Sequence, residues 1–325
     1  MPATLLSHPS TDSNEQKAQN IGSKWKSNDA APFTRSALLG VLEGKVPVIK
    51  VPSYVSADLS NRIVQHLLPH FTSYLHATGP AVEKVGVAQF EFQAQSAEDF
   101  KNRTGDGKYF PCLMTRGESR MLIPKLEKER YFDMAEKMST LHGNIADVVG
   151  QNIWAKVVEE IAALVPEWDV SVASEVNDHG EERRYFSGIF RSINGGTPPH
   201  CDWCPYDTLT EDWILSRITN QAVFNLYLSP VEGGGTTIYD VQWTPDALQY
   251  RDPNSYGYAR ELVEGRQKQE WKPEVGQLCI FNSRNMHEVA PVAAGSKGPR
   301  IALASFMGLL PAEVTGGRPR LMFWS

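Results

Sequence analysis

The chain has 325 residues, 41% of them hydrophobic and 22% charged, with a formal net charge of -6. That length makes one large domain or two ordinary ones and can bury a core without disulfides or a structural metal. The acidic balance argues against broad nucleic-acid binding, which needs a basic face.

The first residues, MPATLLSHPSTDSNEQ, carry neither a basic n-region nor a long apolar run, so no secretory signal is expected. No stretch approaches the roughly 18 uninterrupted apolar residues of a transmembrane helix. A cytoplasmic setting without membrane contact is the expectation. With it come reduced thiols at Cys112, Cys201, Cys204 and Cys279 and an unused sequon at Asn102-Arg103-Thr104.

Residues 1–32 are rich in Ser, Asn, Lys and Asp and read as a flexible tail. GKVPVIKVPSYVS then reads as a short strand with Pro-bounded ends. Ser56 is a fair N-cap for a helix carrying Leu59, Ile63, Leu67, Phe71 and Leu75 at every fourth position, kinked at Pro69. KVGVAQFEFQ (84–93) has the Val and Phe content of a strand. Residues 123–165 read as helical, with Met134, Met138, Leu141, Ile145 and Val149 on one face and Pro166 ending the run.

Beyond residue 168 the texture changes to short β-rich segments between turn residues: VSVASEV, RRYFSGIFRSI, QAVFNLYLSP, GTTIYDVQW, GQLCIFNS and RIALASFMGL. The exception is a polar insert, 244–273, with a helix expected around YARELVEGRQ. The expected fold class is α+β with a mainly β core, a sandwich or barrel supported by N-terminal helices. One catalytic domain spans 33–325: a helix-rich part to 168, the β core over 169–310, and a C-terminal extension over 311–325.

Two metal signatures overlap in PPHCDWCPYDT (198–208). Cys201 and Cys204 form C-x-x-C, but a structural zinc site wants a second pair, and Cys112 and Cys279 stand alone. A thioredoxin-like pair would open a helix in a βαβ unit, and none is visible. The two thiols read as small packed residues. His200 and Asp202 form H-x-D, which on a strand puts both side chains on one side.

A third ligand must come from elsewhere. His8 lies in the tail, His66, His70 and His76 on the polar side of the first helix, and His142 in a later helix. His179 lies in the turn NDHGEER. The HLLPH stretch over 66–70 lacks the Glu of a zinc-protease helix and contains Pro. His287, after a hydrophobic strand in GQLCIFNSRNMHEVAPV, remains. Two His and one carboxylate make a facial triad suited to Fe(II), with open positions for cosubstrate and O₂. Arg300 follows, at the start of the apolar strand RIALASF. A buried strand rarely accepts Arg without an anionic partner, and a guanidinium clamps a carboxylate through two hydrogen bonds.

These residues, with NLYLSPVEGGGTTIY (225–239), PEVGQLCIFNSRNMHEVAPV (273–292) and GPRIALASF (298–306), make the chain resemble the Fe(II)- and 2-oxoglutarate-dependent dioxygenases over roughly residues 185–310. The resemblance implies a double-stranded β-helix, or jelly-roll. It implies Fe(II) on His200, Asp202 and His287, 2-oxoglutarate on Arg300, and O₂ as oxidant, with succinate and CO₂ released. Many members have Ser or Thr two residues after the Arg; here that residue is Ala302. The separation between the two histidines is longer than is common, and the 244–273 insert accounts for it as a possible lid. Related halogenases lack the carboxylate of H-x-D, so Asp202 favours hydroxylation, desaturation or oxidative ring closure.

The substrate is expected to be a small molecule, an amino acid or a biosynthetic intermediate. Arg191 either faces inward, to hold a substrate carboxylate, or stands solvated outside. Trp203, Tyr206, Phe186 and Phe190 either line the pocket or belong to the core. Asn225 and Tyr227 can supply polar contacts, and GGG (233–235) reads as a turn. LMFWS at the C-terminus either caps the β core or serves a homodimer contact. Two competing readings are a cupin-type metalloenzyme without 2-oxoglutarate and a non-catalytic jelly-roll binding module.

Overall fold

The computed structural model describes residues 24–74, 82–92, 126–177, 179–208, 211–252 and 255–325. The N-terminal half supplies helices α1 (Arg35–Leu42), α2 (Ala57–Leu67), α3 (Leu126–Lys137), α4 (Leu141–Val149) and α5 (Ile153–Leu164). The Ser56 side chain accepts from the Leu59 amide and Asn152 from that of Ala155, so each cap satisfies an orphan N–H at its helix start. Pro69 ends α2 instead of kinking it, and a 3₁₀ turn follows over Leu68–His70.

The strands before the site are β1 (Val48–Val51), β2 (Thr72–Tyr74), β3 (Val82–Val85), β4 (Asp169–Val172), β5 (Ser174–Val176), β6 (Glu182–Arg184), β7 (Ile189–Ser192) and β8 (Thr197–His200). A four-residue helix α6 (Cys204–Asp207) comes next. Then follow β9 (Asn220–Tyr227), β10 (Thr236–Gln242), β11 (Lys268–Trp271), β12 (Leu278–Phe281), β13 (Asn285–Val289), β14 (Ile301–Leu310), helix α7 (Ala312–Thr315) and β15 (Arg320–Trp324).

Two mostly antiparallel sheets dominate. The larger runs β1-β12-β9-β14-β7-β3-β2, with β15 also paired to β14 and β4 parallel to β15. The smaller runs β11-β10-β13-β8, and β5-β6 form a separate hairpin. The period-2 alternation of strands divides their side chains between two apolar layers. On β9 and β14, Ala222, Phe224, Leu226, Leu303 and Met307 meet Leu38, Ile63, Ile145 and Val157 of the helices. Val223, Tyr227, Ala302, Ala304 and Phe306 face the opposite way, toward Ile238 and Met286 of the smaller sheet. The space between the sheets is where a site can form.

Several local expectations change. The stretch 126–165 is three helices, not one: Gly150, at φ +83, closes α4 in the left-handed conformation and Asn152 starts α5 afresh. Met134 is 41% exposed, off the apolar face assigned to it. β3 stops at Val85, and Gln89–Phe92 form a 3₁₀ turn where a strand was expected. In the insert, the expected helix is one 3₁₀ turn, Arg260–Leu262, and Gly265 at φ +68 breaks the chain before β11. Residues 24–32 of the expected tail are held in place. The amides of Lys24 and Trp25 donate to the Asp240 carboxylate at 2.9 and 3.0 Å, and Ala31 bridges to Ile49. Leu321–Ser325 are all at most 1% exposed, so LMFWS belongs to the large sheet's own core. Among the described residues no helix is long and apolar enough to cross a membrane. His8, Leu75, His76, Asn102, Cys112, residue 93 and residues 123–125 lie outside the described residues.

His142 is a packed structural residue. Its ring stacks between Trp154 (centroids 5.3 Å apart) and Phe186 (6.0 Å), and Nε2 donates to the Ser187 carbonyl at 3.0 Å. Burial lowers its pKa from 6.5 to about 4, against the hydrogen bonds to Ser187 and Gly188. Protonation therefore favours the unfolded chain. The stability this residue contributes is complete above about pH 6.5 and is lost as pH falls toward 4. Thermal midpoints measured from pH 7 down to 4.5 should fall less steeply for His142→Phe than for the unsubstituted protein; parallel slopes would refute this.

Candidate active site

β8 ends at His200, and β13 carries His287 directly opposite it in register. The two rings lie 4.2 Å apart, centroid to centroid. Asp202 follows β8 with its backbone pinned. Its amide donates to the Ser283 carbonyl at 2.8 Å, and its carbonyl accepts from the Gln221 amide group at 3.0 Å and the Ser283 hydroxyl at 3.2 Å. The strand alternation expected of H-x-D is thus replaced by a loop held to the turn between β12 and β13, and the carboxylate still arrives. His287 Nε2 and Asp202 Oδ2 are 3.4 Å apart, and ligand atoms of all three residues lie within 4.8 Å of one another.

The tautomers are set by backbone carbonyls. His200 Nδ1 donates to Pro198 O at 2.8 Å and His287 Nδ1 to Asn285 O at 2.9 Å. Each hydrogen bond fixes the ring and leaves the Nε2 lone pair for a metal ion. Burial and the neighbouring His287 hold the His200 pKa down at about 4. Burial alone would raise the Asp202 carboxyl. The close approach of the His287 and His200 rings and the charge of Arg191 outweigh it, and its pKa sits at about 2. Two imidazoles and a carboxylate on one side of an ion fit Fe(II) and leave other positions free. Tyr256 from the insert packs edge-on against His200, and Phe281 against His287, both at 5.3 Å.

Arg300 is 4% exposed, and among the described residues no carboxylate pairs with it. Its Nε donates to Gly234 O at 3.0 Å, and its Nη2 to Thr236 Oγ1 at 3.2 Å and Tyr227 Oη at 3.5 Å. The guanidinium also lies 5.1 Å from the Tyr227 ring centroid. The GGG turn has its reason here: Gly234 has φ +63, and a Cβ on it would come within 2.9 Å of Arg300 Cδ. A buried cation held by neutral partners suits an incoming carboxylate.

The other candidates divide. Tyr227 is 1% exposed and accepts from Trp271 Nε1 at 3.0 Å, so it belongs to the Arg300 pocket instead of an open substrate surface. Asn225 lies on the inner face of β9, opposite Ala304 and Cys279. Trp203 is buried under the Arg284 guanidinium, 4.5 Å away, and Tyr206 packs on Trp243 at 4.5 Å; both serve the core. Phe190 faces the helices, and Phe186 stacks on His142. Arg191 has its guanidinium near the rings of Phe90 and Phe306. Cys201 and Cys204 are free, and burial pushes both thiols well above their ordinary pKa. Sequence reasoning missed Thr236, Gly234, Phe90 and Phe306. The TT after GGG was the one local signal.

The family model described as "Carrier-protein-independent halogenase WelO5" matches residues 94–315. A leucinostatins biosynthesis cluster protein S of Purpureocillium lilacinum is 32% identical over 202 residues, 61% of this chain and 80% of that protein. An L-gamma-glutamyl-L-propargylglycine hydroxylase of Streptantibioticus cattleyicolor is 33% identical over 148 residues, 44% of this chain and 50% of that protein. Among solved structures, an N-substituted L-amino acid dioxygenase from Burkholderia ambifaria in complex with alpha-KG aligns over 82% of this chain and 90% of its own, at 18% identity and a TM-score of 0.41. A family match across most of the chain, spanning the converging His-Asp-His groups, makes this protein a member of the WelO5 family, a non-haem oxygenase dependent on Fe(II), 2-oxoglutarate and O₂.

Proposed function

We propose that the protein hydroxylates an unactivated C–H bond of a small molecule derived from an amino acid. One O₂ and one 2-oxoglutarate would be consumed per turnover, giving the alcohol, succinate and CO₂. The observation that carries this reading is the Asp202 carboxylate standing beside His200 and His287. In the halogenases to which the sequence resemblance extends, that carboxylate is missing. A third protein ligand leaves no place for halide beside cosubstrate and O₂. The hydroxylase among the relatives, whose name gives a γ-glutamyl amino acid as its substrate, supports the same reaction and substrate class.

In this reading His200, Asp202 and His287 hold the iron. Arg300 pairs with the distal carboxylate of 2-oxoglutarate, and Thr236 and Tyr227 take the part that a residue at Ala302 plays elsewhere. Iron, cosubstrate and O₂ together supply the oxidising power; the protein's task is to fix the ligands, exclude water and aim the C–H bond. The strands β7–β14 alternate between the two sheets except at β10 and β11, which neighbour each other in the smaller one, and this order fits a double-stranded β-helix. Residues 33–325 then act as one catalytic unit, with the part of the 244–273 insert that precedes β11 as a lid that reaches the site through Tyr256.

Anaerobic addition of Fe(II) and then 2-oxoglutarate should give a visible charge-transfer band. Incubation with O₂ and candidate amino-acid derivatives should release succinate and a product heavier by one oxygen atom. Iron binding without the band would favour a cupin-type enzyme that needs no cosubstrate. A chlorinated product formed in chloride buffer would overturn the hydroxylase reading.

A further inference from the structure

Arg191 lies on β7 between Lys84 of β3 and Ala302 of β14. On the β14 side its inner-face neighbours are small, Ala302 and then Ala304, which leaves room beside it there; on the β3 side stands Lys84. Its Nε and Nη2 are shielded from solvent, and among the described residues no hydrogen-bond partner reaches either. The guanidinium carbon lies 5.6 Å from the Phe90 ring centroid and 5.7 Å from that of Phe306. Glu91, on the same turn as Phe90, is engaged by Lys84 at 3.0 Å.

Buried donors on a charged group are almost always paired, because leaving them bare carries a large desolvation penalty. Two aromatic rings offset only part of it. Arg300 shows the contrast: its fork is already supported by a carbonyl and a hydroxyl, while among the described residues Nε and Nη2 of Arg191 have no hydrogen-bond partner and the Asp202 carboxylate acts on it only through space. A cation of this kind suits a carboxylate attached to an apolar body, the body lying along the rings.

We propose that Arg191 binds a carboxylate of the substrate, and that the substrate is an otherwise apolar acid anchored on β7. The proposal rests on the oxygenase reading of the same site. The alternative source of the carboxylate is 2-oxoglutarate itself, and the two can be separated.

The experiment is anaerobic calorimetry on protein loaded with Fe(II) and 2-oxoglutarate. The probes are hexanoate, benzoate and N-acetyl-L-leucine, each beside its primary amide. The unsubstituted protein, Arg191→Gln and Arg191→Met are compared. At least one acid should bind ten-fold or more tighter than its amide, and both variants should lose that preference while keeping the charge-transfer band. Their thermal midpoints should stay level or rise, because two shielded donors without partners are removed. Acids and amides binding alike, no acid binding at all, or a preference surviving in Arg191→Gln would each overturn the proposal. A band lost only in the variants would give Arg191 to the cosubstrate and overturn it too. A band absent from the unsubstituted protein would count against the oxygenase reading instead, and the heats would still read the carboxylate preference.

Discussion

Asp202→Ala should abolish oxygen insertion and weaken Fe(II) binding by well over the roughly 10–100-fold typical of losing an outer-shell partner, with the fold intact. The side chain is 38% exposed, and its close contact is His287 Nε2. What holds the loop is backbone: the amide on Ser283 and the carbonyl on Gln221 and Ser283, none of which the substitution touches. His200 and His287 keep their carbonyl partners and their orientation. The two histidines then retain a weak metal site that lacks its anionic ligand. Calorimetric iron titration, thermal midpoint and succinate release separate the effects. A lowered midpoint with the loss of activity would mean that Asp202 is structural; unchanged turnover would remove it from the ligand set. Cys201→Ala provides the internal contrast within the same H-x-D triplet. Its thiol is pushed up by burial and offers no thiolate to a metal, so turnover should remain near that of the unsubstituted protein.

Much of this site was legible because its signals are local. The short apolar runs after residue 168 forecast strands, and a His with Asp two residues on is a strong pattern once another strand supplies a second His. Arg300 at the head of an apolar strand was equally visible, since burial of a guanidinium demands an explanation. What stayed hidden depends on distant pairings. Tyr227 reads as a strand aromatic until register brings Trp271 and Arg300 onto its hydroxyl. Arg191 was undecidable between two faces, because a four-residue strand does not say which side the smaller sheet will cover. The aromatic residues near H-x-D followed the commoner rule for large apolar side chains and went to the core. The helical breaks after Lys137 and Val149 were missed for another reason: apolar positions can continue across a turn, and only the left-handed Gly150 and the Asn152 cap mark the boundary.

Arg300→Ala should leave iron binding alone and raise the concentration of 2-oxoglutarate needed for the charge-transfer band. Truncating one partner of a desolvated, hydrogen-bonded charge pair costs about 2–5 kcal/mol, roughly thirty-fold to a few thousand-fold in Kd. Arg300→Lys should recover little, because an ammonium cannot reproduce the planar fork that meets Gly234 O and Thr236 Oγ1 together. Tyr227→Phe should have a smaller effect of several-fold, of the size of one hydrogen bond. The Tyr227 hydroxyl accepts from both Trp271 and Arg300, and burial keeps its phenol protonated. Its own proton is therefore free to go to Thr236 Oγ1 at 3.3 Å or to an incoming carboxylate. If the band titrates alike in Arg300→Ala and the unsubstituted protein, this pocket does not hold the cosubstrate. The order Arg300→Ala above Arg300→Lys above Tyr227→Phe is what a carboxylate clamp requires. A purely structural pocket would instead rank the three by lost thermal stability, with the band following the folded fraction.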